Sequence, residues 1–332
     1  MRVLVHFRLT VPSDLTAAVR DLLLDHEATT NVTVQPGAVL RPVGDLVEVD
    51  VAREEAGVVL TALHDLGLAE TGGIVLTTPS GTPFAEARRL ERAAPGHPDD
   101  AVIWEAVEAQ AHAGAVPTLS FYIFLVIAVA LAGIAVVTDS AVLVVGAMVV
   151  GPEFSAIVAA CAGIVLGNWV LVARSLRLLL ISFAFAILVV TLLALLAHAT
   201  GLLTNTDVTR PRPSTGFIWH PDTWSFIVAL LAGAAGALAL AIERTSTMVG
   251  VFISVTTVPA AGNLALGLAV WEPTEIVGSL TQLGANIGGM LLSGTLLLLL
   301  VRTTWPWLVS RSEVVFRTGQ VEESPGRTRP DS

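Results

Sequence analysis

The chain has 332 residues, 54% of them hydrophobic and only 14% charged, with a mean hydropathy of +0.75; such values belong to polytopic membrane proteins and not to soluble domains. Its 28 acidic residues outnumber 18 basic ones for a net charge of -10, which argues against a nucleic-acid partner. The single cysteine, Cys161, excludes an internal disulfide, and the first 24 residues lack the apolar core and cleavage site of a secretory signal, so the first transmembrane helix is expected to direct membrane insertion.

Residues 1–78 read as a small α+β domain. Val3, Val5, Phe7 and Leu9 alternate as in a strand with one buried face. Pro12 and Ser13-Asp14 open a helix with Leu15, Ala18, Val19 and Leu22 apolar, and a second strand around Asn31 to Val34 meets the turn-prone Pro36-Gly37. A third strand alternates as Val47, Val49 and Val51. A second helix aligns Ala56, Val59, Leu60 and Leu63, and Ile74 to Thr77 closes the series. The order β-α-β-β-α-β predicts a ferredoxin-like split βαβ fold. Such a domain either assembles the protein or senses a ligand. His6, His26 and His64 fall on different elements with no metal-ligand spacing, and neither a metal nor a cofactor is expected.

Residues 79–116 form a linker and a juxtamembrane helix. Four prolines mark a hinge between positions 79 and 98. Asp99 to Ala113 then has an acidic start that suits a helix dipole, with Trp104 expected on the soluble domain or at the membrane interface.

Six apolar runs follow within residues 117–302: Leu119 to Val137, Ala141 to Leu166, Leu178 to Ala197, Trp224 to Ile242, Met248 to Val270 and Ile276 to Val301. Each meets or approaches the roughly 20 residues a ~30 Å hydrocarbon core needs. Trp169, Trp219, Trp224, Trp271, Trp305 and Trp307 cluster at their ends as an aromatic belt. With the soluble domain inside, Arg174, Arg177, Arg244, Arg302 and Arg311 lie on the inner side and only Arg210 and Arg212 outside. The positive-inside rule therefore predicts a multi-pass protein of the cell membrane with both termini cytoplasmic. The outer connection from Thr200 to Thr223 is too polar and proline-rich to span, and residues 303–332 read as a cytoplasmic tail, disordered from Glu313.

The second run is broken by Gly151-Pro152-Glu153. Proline removes a helix hydrogen bond, and lipid tolerates the freed carbonyl only where protein, water or a ligand satisfies it. The fifth run repeats the device. Ser140 precedes Pro152 by twelve residues and Thr247 precedes Pro259 by twelve, about 18 Å of helix in each case. Three spans per unit make the units inverted. The expectation is a 3+3 inverted repeat with two discontinuous helices, as in secondary transporters with a midplane site.

Glu153 is the one charged residue inside any of these runs, and a central acidic group costs on the order of 2.5–3.5 kcal/mol on insertion scales. It is protonated, pairs with a cation or substrate, or caps the half-helix that starts at Pro152. The candidate binding set is Gly151, Pro152, Glu153 and Ser155 from the second run, Thr256, Thr257, Pro259 and Asn263 from the fifth, and Gln282 and Asn286 from the sixth. Gly163 with Gly167, and Gly284 with Gly288, form GxxxG pairs suited to helix packing. No nucleophile, base and orienting group fall together, so no enzyme is expected.

The segments DSAVLVVGAMVVGPEFSAI, WSFIVALLAGAAGALAL and VFISVTTVPAAGNLALGLAV resemble a bacterial and archaeal membrane family, domain-of-unknown-function family 389, the uncharacterised hydrophobic domain family. The resemblance covers about residues 100 to 300, and its signature is Gly146-Ala147-Met148 followed by Val149, Val150, Gly151 and Pro152. It implies a multi-pass inner-membrane protein with a soluble appendage and names no substrate. The family pattern has an apolar residue where Glu153 stands, which would confine that residue's role to a subgroup. Two functions follow from the residues: a carrier or channel for a small polar solute or ion, or a non-transporting scaffold or sensor acting through its soluble domain. Exposed sheet and GxxxG faces make a homo-oligomer plausible in either case.

Overall fold

The computed structural model describes residues 4–79, 81–93, 102–220, 222–242 and 256–316, the side chains of 91–93 and 305–316 excepted. The chain forms two compact units, one of residues up to Val102 with those from Thr303 onward, the other Ile103–Arg302.

In the first unit the elements run β1 (Leu4–Val11), α1 (Thr16–Asp25), β2 (Thr29–Leu40), β3 (Val43–Ala52), α2 (Ala56–Asp65), α3 (Leu68–Thr71), β4 (Gly73–Thr77) and α4 (Ala85–Ala93). The sheet order is β2-β3-β1-β4 with every neighbouring pair antiparallel, so β3 lies between β1 and β2 as a split βαβ unit requires. Period-two patterning does the work. Val5, Phe7, Leu9 and Val11 of β1 and Val47, Val49 and Val51 of β3 are buried, as are Ala56, Val59, Leu60 and Leu63 of α2. On α1 the buried pair is Val19 and Leu23, so the core-facing stripe takes Leu23 and leaves Ala18 exposed. β2 does not stop at Pro36-Gly37. It continues to Leu40 through register shifts against β3, because β2 is an edge strand, where proline is tolerated, and Gly37 takes φ 65° at the irregularity.

Asp45 ties these pieces together. It accepts the Thr16 hydroxyl at 2.6 Å and the Gly37 N–H at 2.8 Å, and those bonds hold its carboxyl below the usual carboxylate range. The folded value is lower than the unfolded one, so the contribution is present at neutral pH and is lost as pH falls through the folded value. Asp45→Asn is therefore expected to flatten the acid side of the unit's melting-temperature profile. An unchanged acid limb, followed by circular dichroism, would count against this role.

The second unit is helical: α5 (Trp104–Gly114), α6 (Leu119–Thr138), α7 (Ala141–Val150), α8 (Glu153–Leu166), α9 (Trp169–Ala199), α10 (Asn205–Thr209), α11 (Thr223–Ala241), α12 (Thr257–Val270) and α13 (Pro273–Phe316). α6, α9, α11 and the Pro273–Thr304 part of α13 are long and apolar enough to cross a membrane. The pair α7–α8, bent by 54° at its break, makes a fifth candidate, whereas α12 has only 14 residues. Sequence-based span limits fit α6, α7–α8 and α11 closely. α9 begins nine residues before Leu178, since Asn168 caps it by accepting the Leu171 N–H at 3.1 Å and Arg174 and Arg177 do not interrupt a helix. α13 is helical to Phe316, so the segment after Val301 starts as helix.

Short polar turns position the helices. Asp139 in the left-handed region (φ 49°) ends α6, and Ser140 caps α7 by accepting the Leu143 N–H at 3.3 Å. α5 lies along α8 in the opposite sense. Its Gly114 packs on Ser155 at the start of α8. At the other end, Arg302 sits 5.8 Å over the Trp104 ring and donates to the Val165 carbonyl. The juxtamembrane helix thus belongs to the helical unit. Where α6 crosses α12, a Cβ on Gly262 would meet Gly133 N at 2.8 Å, so only glycine admits this approach.

Candidate functional site

The break between α7 and α8 consists of Gly151, extended at φ -66° and ψ 128°, and Pro152. α8 starts at Glu153, whose side chain is 7% exposed. Its Oε1 accepts the Thr257 hydroxyl at 2.8 Å, and Thr257 is the first residue of α12. Two helix N-termini therefore meet at one carboxylate, and their partial positive charges favour an acidic group there. From this point the helices diverge. Val165 of α8 reaches Arg302 of α13, whereas Gly267 of α12 packs on Glu275 and Ile276 at the start of α13. Some 27 residues of α13 separate those contacts, about 40 Å of helix. Ser155 donates to the Pro152 carbonyl at 2.9 Å.

Next to Thr257, the Thr256 hydroxyl accepts from Asn286 Nδ2 at 2.8 Å and Gln282 Nε2 at 3.1 Å. Thr256 and Asn286 also line a cavity of about 260 Å³ whose other walls are Phe217, Asp222, Trp224, Ser225, Val228 and Ala229. Among the described residues, Glu153 Oε2 and Gln282 Oε1 are buried oxygens with no hydrogen-bond partner. Both are acceptors. A buried acceptor left unmet costs desolvation, and here the two belong to residues bonded to the adjacent Thr257 and Thr256.

Asn263 is elsewhere. It stands one and a half turns further along α12, where its Oδ1 accepts from Arg212 at 2.8 Å and its Nδ2 donates to Glu275 Oε2 and Ser279 Oγ, both at 2.7 Å. Arg212 and Glu275 form an ion pair with side chains 1% and 4% exposed, and Arg212 lies 5.9 Å from the centre of the Trp219 ring. The candidate set thus divides in two. Glu153, Thr256, Thr257, Gln282 and Asn286 gather at the meeting of the half-helices, while Asn263, midway along α12, belongs to a second polar cluster with Arg212, Glu275 and Ser279. Arg212, Glu275 and Ser279 escaped the sequence reading. Their one sequence cue is an arginine between two prolines, Pro211 and Pro213, in the longest connection.

Pro259 falls in the first turn of α12 and not before it, where a missing N–H costs nothing. The residues leading into α12 from Met248, with Thr247, lie outside the described residues. Gly163 packs against Val172 at the α8–α9 turn, Gly167 ends α8 at φ 72°, and Gly284 and Gly288 have no atom within 4 Å of a built Cβ. Close approaches between helices are also made by other glycines, among them Gly236 beneath the Phe154 ring and Gly294, where a Cβ would lie 2.9 Å from Cys161 Sγ. No group of three or more potential metal ligands exists among the described residues.

A bundle of long apolar helices enclosing a broken helix and a buried polar cluster is the architecture of a multi-pass membrane protein. Within it, residues 148–292 match the family model of a domain of unknown function, DUF389, the family that the sequence pattern resembles. The matched stretch contains both polar clusters and leaves the first unit outside. No curated protein matches the chain, and no solved structure does.

Proposed function

We propose that this protein is a carrier or channel for a small polar solute or ion, with its site where the two half-helices meet. The observation that carries this reading is the Thr257–Glu153 hydrogen bond between the first residues of α8 and α12. Midplane sites of secondary transporters are formed by such discontinuous helices. In this reading six spans form a 3+3 inverted repeat, with α7–α8 as one broken helix and α12 as the second half of the other. Both termini lie in the cytoplasm of a cell whose inner membrane holds the protein, as the arginine distribution supports. Copies of the chain associate in the bilayer, no nucleic acid is bound, no cofactor is used and no reaction is catalysed.

Proteoliposomes loaded with a panel of inorganic ions and small polar solutes test the proposal. Wild-type protein is expected to pass at least one of them. Thr256→Val and Asn286→Leu, which remove the polar pair without adding bulk, are expected to abolish that flux while the protein stays folded. Folded wild-type protein that passes nothing would sink the reading.

A further inference from the structure

We propose that the solute recognised at this site is a small organic cation, an ammonium compound, held in the cavity between α11 and Thr256–Asn286; this deepens the carrier reading and rests on it for the word solute. The argument begins with the lining. Among the described residues of the cavity wall Asp222 is the charged one, and no Arg or His stands with it there. Asp222 caps α11 by accepting the Ser225 N–H at 2.7 Å, and the Ser225 bonds hold its carboxyl below the usual carboxylate range, so it stays ionised at neutral pH. Trp224 and Phe217 share the same wall. An aromatic face attracts an ammonium group through its quadrupole, and cages of aromatic rings are how quaternary ammonium ligands are held.

The polar side of the cavity agrees. Thr256 already accepts two amide N–H groups, one from Asn286 and one from Gln282. Gln282, bonded to Thr256 though not itself in the cavity lining, keeps an Oε1 acceptor without a partner. The helix N-termini, which would otherwise suit an anion, are already answered by Glu153, whose carboxylate accepts from Thr257 at the head of α12. The charge and the rings of the wall both select a positive ligand. A cavity of about 260 Å³ limits it to a small molecule.

The test is equilibrium binding to the full chain in detergent, read by calorimetry and by tryptophan fluorescence. The probes are tetramethylammonium, methylammonium, the neutral isostere 3,3-dimethylbutanol, and acetate. Wild type is expected to bind an ammonium probe and neither of the other two. Trp224→Leu is expected to weaken it by roughly five- to tenfold. Asp222→Asn keeps the helix cap, since asparagine caps as well as aspartate, and removes only the charge, so it tests recognition apart from folding. Loss of ammonium binding in that variant supports the proposal. Absence of ammonium binding in wild type, equal binding of the neutral isostere, or an unchanged Asp222→Asn affinity would each overturn it. If ammonium binds yet no solute crosses the liposome membrane, the carrier reading fails and the site stands. If an anion or sugar crosses while ammonium does not bind, the carrier reading stands and this one falls.

Discussion

Arg212→Ala is expected to cost about 3–5 kcal/mol of stability, because it leaves Glu275 as an uncompensated buried charge. Arg212 donates to both Asn263 and Glu275, and Asn263 in turn donates to Glu275 and Ser279. One deletion therefore unsettles the three side chains that remain, Asn263, Glu275 and Ser279, all of them buried. Arg212→Lys is expected to recover little, since an ammonium cannot reproduce the fork that serves two acceptors at once. The double variant Arg212→Leu/Glu275→Leu is expected to melt well above Arg212→Ala, because replacing both partners removes the orphaned charge. Thermal unfolding in detergent, followed by circular dichroism, separates these variants. An Arg212→Ala protein that melts with wild type would show that water reaches Glu275 and that the pair is not sealed.

The effect should extend beyond the pair. The connection between α9 and α11 is held down at several points: Arg210 donates to the Val137 carbonyl at 2.5 Å, and Asp139 accepts from the Thr215 hydroxyl at 2.9 Å and the Ser214 N–H at 3.2 Å. Leu203, Val208 and Ile218 of that connection are buried with Val136, Val144, Met148 and Leu266. Arg212 joins this strap to α12 and α13. Its loss is expected to free the connection at the end of α12, with faster hydrogen exchange there than in α6.

How much of this was legible in the sequence depends on the range of the interaction. Period-two and apolar runs report local burial, and they yielded the strands, α2, α6, α11 and the broken α7–α8 pair. Gly151-Pro152 marked its own break because proline acts on its own helix. Pro259 carried the same spacing but a different consequence, since a proline in a helix's first turn breaks nothing. The GxxxG spacing likewise could not say which face meets a neighbour: Gly167 serves a turn, and Gly284 and Gly288 face open space. Arg212 and Glu275 are 63 residues apart, and no periodicity encodes such a pair. Asn263 is buried, yet its partners depend on how a connection folds back, which the pattern of the spans does not contain.

On the proposed carrier reading, Gly151→Ala is expected to abolish flux while the helices persist. The backbone there is ordinary, φ -66° and ψ 128°, so alanine meets no conformational strain and the substitution tests space alone. A Cβ at this position would collide with Glu153 Oε2, come within 3.2 Å of the carboxyl carbon and lie 2.8 Å from Val258 Cγ2. Something must move. Either the carboxylate swings off Thr257, or α12 retreats from the break with Val258. The first breaks the bond between the half-helices, and the second separates their N-termini. Overpacking of this kind costs typically about 1–3 kcal/mol, which a folded membrane protein survives. Val258→Ala removes the nearer methyl and is expected to restore part of the flux in the double variant, provided Glu153 keeps Thr257. Rescue by that change, absent when Val258→Ala is made with Asn286→Leu, would tie the loss to the contact at the break. A Gly151→Ala protein with wild-type flux would mean that the carboxylate can leave Thr257 without consequence, and that the Thr257–Glu153 bond is a cap and nothing more.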